Sequence, residues 1–332
     1  MLNLIGRPMR RARLRHYLMC PPTYFDVVDS INPWMDPSGQ VDRRLAIRQW
    51  SGLVEAYRST GHRVDLLQPL PGMPDMVFAA NGATVVDGHT LPAKFANKQR
   101  AAEVVVHAEW HRRNGILYGG GNLPRPNAVN EAEGDFAVLS RRILAGYGFR
   151  TSLQAHRELA ILTGREVISL ELIDPRWFHL DLALSVLDDE RDHIAYYPEA
   201  FSLPSRELLA ELFPDALIAN QHEAYAFGLN AVSDGLHVFI PSGARQLRED
   251  LAAGGYWPIS VDLSELIKGG GSVKCCTQEI RPALIALRNT VVPRNTVVPR
   301  STVVPRSTVA LSDDVSSLVP TIPSQRSAGA SS

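Results

Sequence analysis

The chain has 332 residues, of which 45% are hydrophobic and 21% charged, and its formal net charge is −1. This composition is typical of a globular protein in water, and the near-neutral charge favours neither nucleic acid nor a membrane as a partner. The three cysteines form no C-x-x-C pair, which argues against a disulfide framework or a zinc knuckle and fits a reducing cytoplasm.

The first fifteen residues are rich in arginine and predict a disordered basic leader over 1–15. They lead into Tyr17-Leu18-Met19-Cys20 and not into a long apolar segment, so we expect no cleaved secretion signal. A start codon assigned too far upstream is an alternative explanation. The arginines are Arg7, Arg10, Arg11, Arg13 and Arg15.

Helix-like and strand-like patterns alternate through the next part of the chain. The first helix is predicted over 43–60, with Asp42 as its N-cap and Gly61 as its stop. The dipeptide Asp87-Gly88 predicts a hairpin turn. Further helices are predicted over 97–113, 152–163, 205–213 and 245–253, and strands over 64–67, 83–86, 115–118, 167–173, 193–197, 216–218, 236–240 and 259–263.

Strands outnumber helices in this pattern, which favours repeated ββαβ-like units with mixed sheets over a doubly wound parallel sheet. No dinucleotide or Walker motif is present, and the loop 119–122 is interpreted as a plain turn. His107 and His111 lie one helical turn apart, which suits a metal pair, but a solvated helix face is the favoured interpretation. We expect no metal.

A six-residue repeat ending in Val-Val-Pro begins at Arg288 and returns at Arg294 and Arg300. This period is too short for a helical solenoid unit. The residues after it are mostly Ser, Pro, Ala and Gly, which bury too little surface to fold. We therefore predict a folded domain over 16–287 and a disordered low-complexity tail over 288–332.

The glycines at 269–271 precede Cys275 and predict a tight loop that presents a thiol. A nucleophilic cysteine acts as the thiolate, so a neighbouring cation or imidazole must lower its pKa; Lys274 and His179 are candidates. Residue chemistry alone leaves the choice between Cys275 and Cys276 open. Cys20 is interpreted as a packing residue.

Two polar clusters lie upstream in apolar surroundings, at 130–135 and at 178–181. The first offers the carboxylates Glu131, Glu133 and Asp135, and the second offers His179 and Asp181. Together with the thiol they supply a nucleophile, a base and carboxylates, which is the equipment of covalent catalysis.

These clusters, taken in order, resemble the guanidino-group modifying enzymes, or amidinotransferase superfamily. The resemblance covers about 15–287 and is strongest to bacterial dimethylargininases and arginine dihydrolase domains. It implies an α/β fold, a five-bladed propeller of ββαβ units with pseudo-fivefold symmetry. The segments that carry it are 19–25, 31–35, 74–82, 130–135, 179–181 and 269–277.

The resemblance also implies catalytic roles. Cys275 would be the nucleophile, and Cys276 would pack in the core or act as a redox partner of Cys275. His179 would protonate the leaving amine and then activate water. Glu131 would be the catalytic glutamate, with Glu133 as the alternative.

The same resemblance implies a substrate-binding set for a planar guanidinium, which carboxylates can hold. Asp181 would bind guanidine nitrogens from the same side of a strand as His179, and Arg100 would bind an α-carboxylate. Asn81 stands where many relatives carry aspartate. The arginine dihydrolase group resembles this chain in having asparagine there, which would permit release of ornithine. The other expected members are Asp75, Asn32 and Asp135.

We therefore expect a cytoplasmic amidine hydrolase that needs no cofactor and forms a covalent S-amidino intermediate. Its substrate would be arginine or an N-methylated arginine, and its product ornithine or citrulline. A dimethylargininase, an amidinotransferase and a non-catalytic arginine-binding relative are the alternatives. We expect no nucleic acid or membrane partner, and the protein can form a homo-oligomer.

Overall fold

The computed structural model describes residues 10–115 and 123–281. The loop 119–122, most of the predicted strand 115–118, the boundary at Leu287, the repeat tail and residues 1–9 lie outside the described residues. Within the described ranges, no helix is both long and apolar enough to cross a membrane.

The described residues form fourteen strands and seven α-helices. The strands are β1 (His16–Met19), β2 (Arg63–Leu66), β3 (Ala83–Val86), β4 (His89–Pro92), β5 (Phe136–Val138), β6 (Arg142–Tyr147), β7 (Glu166–Glu171), β8 (Leu184–Asp188), β9 (His193–Tyr196), β10 (Leu217–Ile218), β11 (Val232–Ser233), β12 (His237–Pro241), β13 (Trp257–Val261) and β14 (Gln278–Glu279). The helices are α1 (Arg43–Ser59), α2 (Glu103–Arg113), α3 (Leu153–Thr163), α4 (Leu203–Leu212), α5 (Gln221–Tyr225), α6 (Arg245–Ala253) and α7 (Ser264–Ile267).

These strands form five small sheets within the described residues, and four of the sheets share one plan. In each of the four, the central strand pairs antiparallel with one neighbour and is followed by a helix and then by a strand parallel to it; in the first sheet the antiparallel neighbour, β14, comes from the other end of the described chain. The four are β14-β1-β2 around α1, β5-β6-β7 around α3, β8-β9-β10 around α4 and β11-β12-β13 around α6. The predicted mixed sheets of ββαβ type are confirmed as an α/β fold.

The fifth sheet is the hairpin β3–β4, in which Val86 pairs with His89. Its turn consists of Asp87 and Gly88, with φ of 50° and 81°. Both residues therefore adopt the left-handed conformation that Asp-Gly turns tolerate. The hairpin predicted from this dipeptide is confirmed.

Helix α1 begins where the sequence predicts, because the Asp42 side chain accepts a hydrogen bond from the Leu45 N–H at 2.9 Å. Its buried face includes Trp50, Leu53 and Tyr57. The Tyr57 hydroxyl lies 2.9 Å from the Thr277 hydroxyl, so this helix packs directly beneath the segment that carries Cys275.

Residues 10–15 do not form the predicted disordered leader. Arg13 makes ion pairs with Asp188 and Asp189, and Arg15 pairs with Asp189 and Glu279. These carboxylates lie on or beside strands of two different sheets, so the guanidinium groups fasten this stretch to the domain.

The interpretation of His107 and His111 as a solvated helix face is wrong. Both side chains are buried, and the amide Nε2 of Gln278 lies 3.0 Å from Nε2 of His111. Burial lowers the pKa of His107 to about 3 and that of His111 to about 4. This face of α2 instead packs against β3 and β4.

Four of the five segments that lead into the outer strand of an antiparallel pair carry polar residues predicted for the site, and the fifth carries Asn230. We call these five stretches the pre-strand segments: 74–81, 131–135, 175–182, 221–230 and 264–276. Short helical turns shape all five segments. The fold thus presents similar local structures, each with its own side chains, from five places along the chain.

Candidate active site

Cys275 lines a pocket of about 300 Å³, counted with its open mouth. The glycine loop beside it is needed for close packing, because a Cβ on Gly271 would lie 2.5 Å from Phe78 Cε1. Gly270 has φ of 82°, which favours glycine. The residues lining the pocket are Ile31, Asn32, Met35, Asp75, Phe78, Asn81, Arg100, Arg150, Phe178, His179, Gly269, Gly270, Gly271 and Cys275.

Cys275 is only 3% exposed. Its sulfur forms hydrogen bonds with two side chains. The thiol donates to Asp181 Oδ2 at 3.2 Å, and Asn230 Nδ2 donates to the sulfur at 3.1 Å. Burial, together with the Asp181 carboxylate, raises the pKa of this thiol well above its ordinary value. These surroundings favour the neutral thiol over the thiolate.

The expectation that Lys274 activates the thiol is wrong. Its Nζ donates to Glu133 Oε2 at 2.6 Å and to the Thr277 carbonyl at 2.9 Å. These contacts direct the ammonium group to Glu133 and the Thr277 carbonyl, and among the described residues no hydrogen bond joins it to the sulfur.

His179 and Glu131 form a buried pair, with His179 Nε2 2.8 Å from Glu131 Oε2. Arg150 Nη1 donates to the same carboxylate oxygen at 3.2 Å. Burial alone would raise the pKa of Glu131, but the contacts with His179 and Arg150 lower it to about 2. An ionised carboxylate therefore contacts the imidazole and fixes its orientation.

Glu133 is engaged elsewhere, because it accepts hydrogen bonds from Lys274 and from Arg281 Nη1 at 2.7 Å. It does not line the pocket of Cys275. Of the two glutamates left open by the sequence, Glu131 is the one that contacts the imidazole.

The sequence suggested that His179 and Asp181 lie on one strand, but in the structure they do not. A 3-10 helix spans Leu180–Leu182, with His179 immediately before it. Three residues per turn place neighbours on different sides of such a helix. His179 consequently lines the pocket, whereas Asp181 lies behind Cys275 and its Oδ1 has no hydrogen-bond partner among the described residues.

Asp135 is buried beneath this pair and does not line the pocket. It accepts from the Leu180 N–H at 3.1 Å and from the Thr151 hydroxyl at 2.6 Å. Thr151 in turn accepts from the Glu131 N–H at 3.0 Å. Asp135 thus connects the segments that carry His179 and Glu131, and burial raises its pKa to about 6. The geometry gives no support to its predicted contact with substrate.

Asn81, Arg100 and Asp75 form one network at the pocket. Arg100 donates to Asn81 Oδ1 at 2.9 Å and to the Asp75 carbonyl at 3.2 Å. The other edge of this guanidinium forms a bidentate pair with Glu103. Arg100 is thus a buried residue and not an ordinary surface arginine on a polar helix.

Asp75 presents an unsatisfied acceptor in the same pocket. Its Oδ1 is buried without a hydrogen-bond partner among the described residues, and burial raises its pKa. A buried carboxylate in this situation is well suited to a cationic ligand.

Asn32 joins two parts of the pocket wall. Its Nδ2 donates to the Gly269 carbonyl at 3.2 Å, and its Oδ1 accepts from the Trp34 N–H at 2.9 Å. It thereby fastens the 31–35 segment to the glycine loop.

The sequence did not single out Asn230 or Arg150. A signal for Asn230 was available, because Phe227-Gly228-Leu229-Asn230 repeats the Phe-x-x-Asn pattern that ends at Asn81. Arg150 follows a plain turn and gives no such signal. Its Nη2 donates to the Ile31 carbonyl at 2.6 Å, and its guanidinium lies over the ring of Phe178.

No family model matches the chain. A dimethylarginine dimethylaminohydrolase of Mycobacterium tuberculosis is 49% identical over 282 residues, which cover 84% of this chain and 90% of that protein. The chain belongs to the guanidino-group modifying superfamily. This membership confirms the resemblance seen in the sequence and the expected class of hydrolase, which acts on guanidino carbon–nitrogen bonds.

Other members of the superfamily are also similar. The bifunctional arginine dihydrolase/ornithine cyclodeaminase AgrE of Nostoc is 35% identical over 275 residues, but the match covers only 38% of that longer protein. The N-terminal domain of the cyanobacterial arginine dihydrolase ArgZ, crystallised with its substrate, superimposes with a TM-score of 0.75 at 33% identity. That match covers 81% of this chain and 100% of that domain.

Proposed function

We propose that this superfamily member hydrolyses the guanidino group of arginine or an N-methylated arginine, with Cys275 as nucleophile and ornithine as the favoured product. One observation carries the proposal: Cys275 and His179 line the same pocket, and Glu131 contacts His179 at 2.8 Å. A nucleophile and an acid–base group thus line one cavity, and an orienting carboxylate contacts the acid–base group from behind the cavity wall.

The first half of the reaction forms the covalent intermediate. The thiol proton passes to Asp181 Oδ2, which already accepts it in a hydrogen bond. The sulfur then attacks the guanidino carbon, and the carbon–nitrogen bond breaks as His179 donates a proton to the leaving amine. The amidine remains bound to sulfur as a thioether.

The second half returns the enzyme to its first state. The imidazole of His179, now neutral, removes a proton from water as the water attacks the amidino carbon. The carbon–sulfur bond breaks, the sulfur leaves as a thiolate, and the proton held by Asp181 Oδ2 returns to it. Ionised Glu131 stabilises the imidazolium that forms each time His179 holds the proton.

Charged residues around the mouth of the pocket suit the ends of an amino-acid substrate. We propose that Asp75, whose Oδ1 lacks a protein partner within the described chain, binds a cationic group of the substrate. Arg150 lines the same pocket and is suited to a carboxylate. Arg100, fully engaged with Glu103 and Asn81, is then a positioning residue, and direct binding of substrate by Asn32 and Asp181 stays a prediction.

Asn81 supports ornithine as the product. Its Nδ2 donates to the Glu131 carbonyl at 3.1 Å. An aspartate here would place a carboxylate oxygen next to that carbonyl oxygen, with no hydrogen to share between them. An amide in the same pocket as Cys275 tolerates a neutral ureido group as well as a cation, and this permits a second round of hydrolysis. Arginine would then yield ornithine, ammonia and carbon dioxide.

A dimethylargininase is the second candidate, favoured by the relative of that name at 49% identity. It would release dimethylamine and citrulline. An amidinotransferase would use the same first half and differ only in what accepts the amidine.

We further propose that the sheets are blades of a pseudo-fivefold propeller, which their shared plan supports. The three free thiols support a reducing compartment such as the cytoplasm. The tail and the oligomeric state stay outside this proposal.

Mass spectrometry of the products from arginine and from asymmetric dimethylarginine, run side by side, tests the function. Ornithine from arginine supports the dihydrolase, whereas citrulline as its sole product overturns that part. Dimethylamine from dimethylarginine favours the second candidate. Turnover retained by Cys275→Ser would rule out the nucleophile, and a Cys275 that resists iodoacetamide in a non-hydrolysing protein would indicate a binding protein.

A further inference from the structure

Asn230 makes four side-chain hydrogen bonds around the sulfur of Cys275. Its Oδ1 accepts from the N–H of Ser272 at 3.1 Å and from the N–H of Cys275 at 3.2 Å. Its Nδ2 donates to the sulfur at 3.1 Å and to the Asp181 carbonyl at 3.0 Å. The residue is fully buried, and both ends of the amide are satisfied.

The hydrogen bonds themselves decide the orientation of this amide. Backbone N–H groups only donate, so the oxygen must face Ser272 and Cys275, and the NH2 group must face the sulfur. A hydroxyl could rotate to offer either a donor or a lone pair, but this amide cannot. The sulfur therefore meets a fixed N–H donor in every step of the reaction.

The other neighbour of the sulfur acts in the opposite sense. Asp181 accepts from the thiol, and both its charge and the burial of the site disfavour a thiolate. Lys274 is turned away to Glu133. In the described part of the chain, the side-chain hydrogen-bond donor to this sulfur is the Asn230 amide, which acts beside a hydrogen bond from the Ser272 backbone that lowers the pKa of the thiol. A hydrogen bond of this kind is stronger to an anion than to a neutral acceptor.

We propose that Asn230 is a catalytic residue whose Nδ2–H stabilises Cys275 as the thiolate, both before attack and when the S-amidino intermediate breaks down. This inference deepens the proposed function and depends on Cys275 being the nucleophile. The proton of the thiol goes to Asp181 Oδ2, and the electron pair stays on sulfur, where the amide N–H donates to it. Hydrolysis of the intermediate returns the same thiolate to the same donor.

The sharpest test is Asn230→Asp, which keeps the size and the two contacts of Oδ1 with backbone N–H groups but replaces the N–H donor to the sulfur and to the Asp181 carbonyl with an oxygen. Its matched control is Asn220→Asp, because Asn220 caps α5 through Oδ1 and aspartate caps equally well. The rate of Cys275 alkylation by iodoacetamide is measured against pH without substrate. Asn230→Asp should raise the midpoint by about one to two pH units, and Asn220→Asp should leave it unchanged.

Steady-state kinetics supply the second readout. Loss of a donor to a reacting anion typically lowers kcat by about 100-fold, while KM should change by less than about threefold. Raising the pH should restore part of the lost kcat. Asn230→Ser, which is too short to reach the sulfur and adds no charge, repeats the test if the aspartate variant unfolds, as thermal unfolding would show.

A residue that only held the loop would change the plateau of the alkylation rate and leave its midpoint in place. An unmoved midpoint in folded Asn230→Asp and Asn230→Ser would therefore overturn the proposal. Failure of the proposed function gives a different result, since Cys275→Ser would then keep its turnover or iodoacetamide would label another residue.

Discussion

His179 Nε2 lies 2.8 Å from Glu131 Oε2, and both side chains are buried. The carboxylate that the imidazole contacts is held ionised by its neighbours, since the pKa of Glu131 is about 2 despite burial. This pairing separates Glu131 from Glu133, which carries the same charge two residues later. The two glutamates should therefore respond differently to the same substitution.

Glu131→Gln should lower kcat by about 100-fold or more. The neutral amide keeps the size of the side chain but removes the charge that stabilises protonated His179, and acid–base catalysis contributes this much or more. KM should change little, because Glu131 does not line the pocket. Steady-state kinetics at several pH values check this, and an unchanged kcat would remove Glu131 from the mechanism.

Glu133→Gln should instead reduce stability and leave kcat within about threefold of wild type. Glu133 is the shared partner of Lys274 and Arg281, and removing one charge from such a cluster leaves cations unpaired. Because both cations are partly exposed, we expect a loss of about 2 kcal/mol in the free energy of unfolding. Chemical denaturation measures it, and a large fall in kcat without loss of stability would contradict this assignment.

Gly134→Ala should impair catalysis through steric contact. A Cβ at this position would lie 2.4 Å from Asn81 Nδ2 and 3.1 Å from His179 Nδ1. Asn81 must then give up its bond to the Glu131 carbonyl, and misplacement of about 1 Å can lower the rate by about 100-fold.

Gly52→Ala is the matched control for that substitution. Gly52 lies on the exposed side of α1, and an added Cβ would meet no atom within 4 Å. It should raise the free energy of unfolding by about 0.5–1 kcal/mol without changing kcat/KM. Equal losses of activity in the two variants would show that the effect at Gly134 is not local.

Cys276→Ala should leave turnover intact. Its thiol is fully buried in the core beside Cys275, and burial raises its pKa. We expect kcat within about twofold of wild type, a loss of about 1–2 kcal/mol of stability, and unchanged alkylation of Cys275. If oxidation inactivates wild type but not this variant, the redox alternative for the adjacent thiols gains support.

Much of the fold was predictable where local signals are strong. Helix α1 follows from its N-cap and apolar spacing, and α6 (Arg245–Ala253) matches its prediction at both ends. Strands β11 and β14 were missed because each has two residues, too few to show a period. Strand β1 was missed because it is the central strand of its sheet and is largely buried, so it shows no alternation.

The sequence predicted which residues of the site have suitable side chains for catalysis, but not how those side chains are arranged. Cys275, His179 and Glu131 were named from motifs, but the choice between Glu131 and Glu133 depends on which of them the fold directs toward His179. Lys274 was misassigned because proximity along the chain does not give proximity of the charged atom. The repeated Phe-x-x-Asn pattern could have drawn attention to Asn230, but its contacts are with residues more than 40 positions away, which the pattern alone does not reveal.

The pH dependence of stability gives a test of the buried Asp181. Burial raises its pKa to about 7, so the folded state binds this proton more tightly than the unfolded state does. Its contribution to stability is therefore full below an ordinary aspartate pKa of about 4 and is lost as the pH rises through about 7. Asp181→Asn removes this pH-dependent contribution to the free energy of unfolding. Relative to wild type, the variant should gain on the order of 3 kcal/mol between pH 4 and pH 8.

Asp189→Asn provides a control of opposite sign for that measurement. Although burial alone would raise it, hydrogen bonds and charge from Arg15 and Arg13 lower the pKa of Asp189 to about 2. Its contribution is present above pH 4 and is lost as the pH falls toward 2, so this variant should differ most from wild type at neutral pH. Denaturation curves for wild type, Asp181→Asn and Asp189→Asn from pH 3 to pH 8 separate the contributions of the two carboxyl groups to stability. A pH-independent difference between Asp181→Asn and wild type would mean that folding leaves the pKa of Asp181 at its ordinary value, which would contradict the rise to about 7.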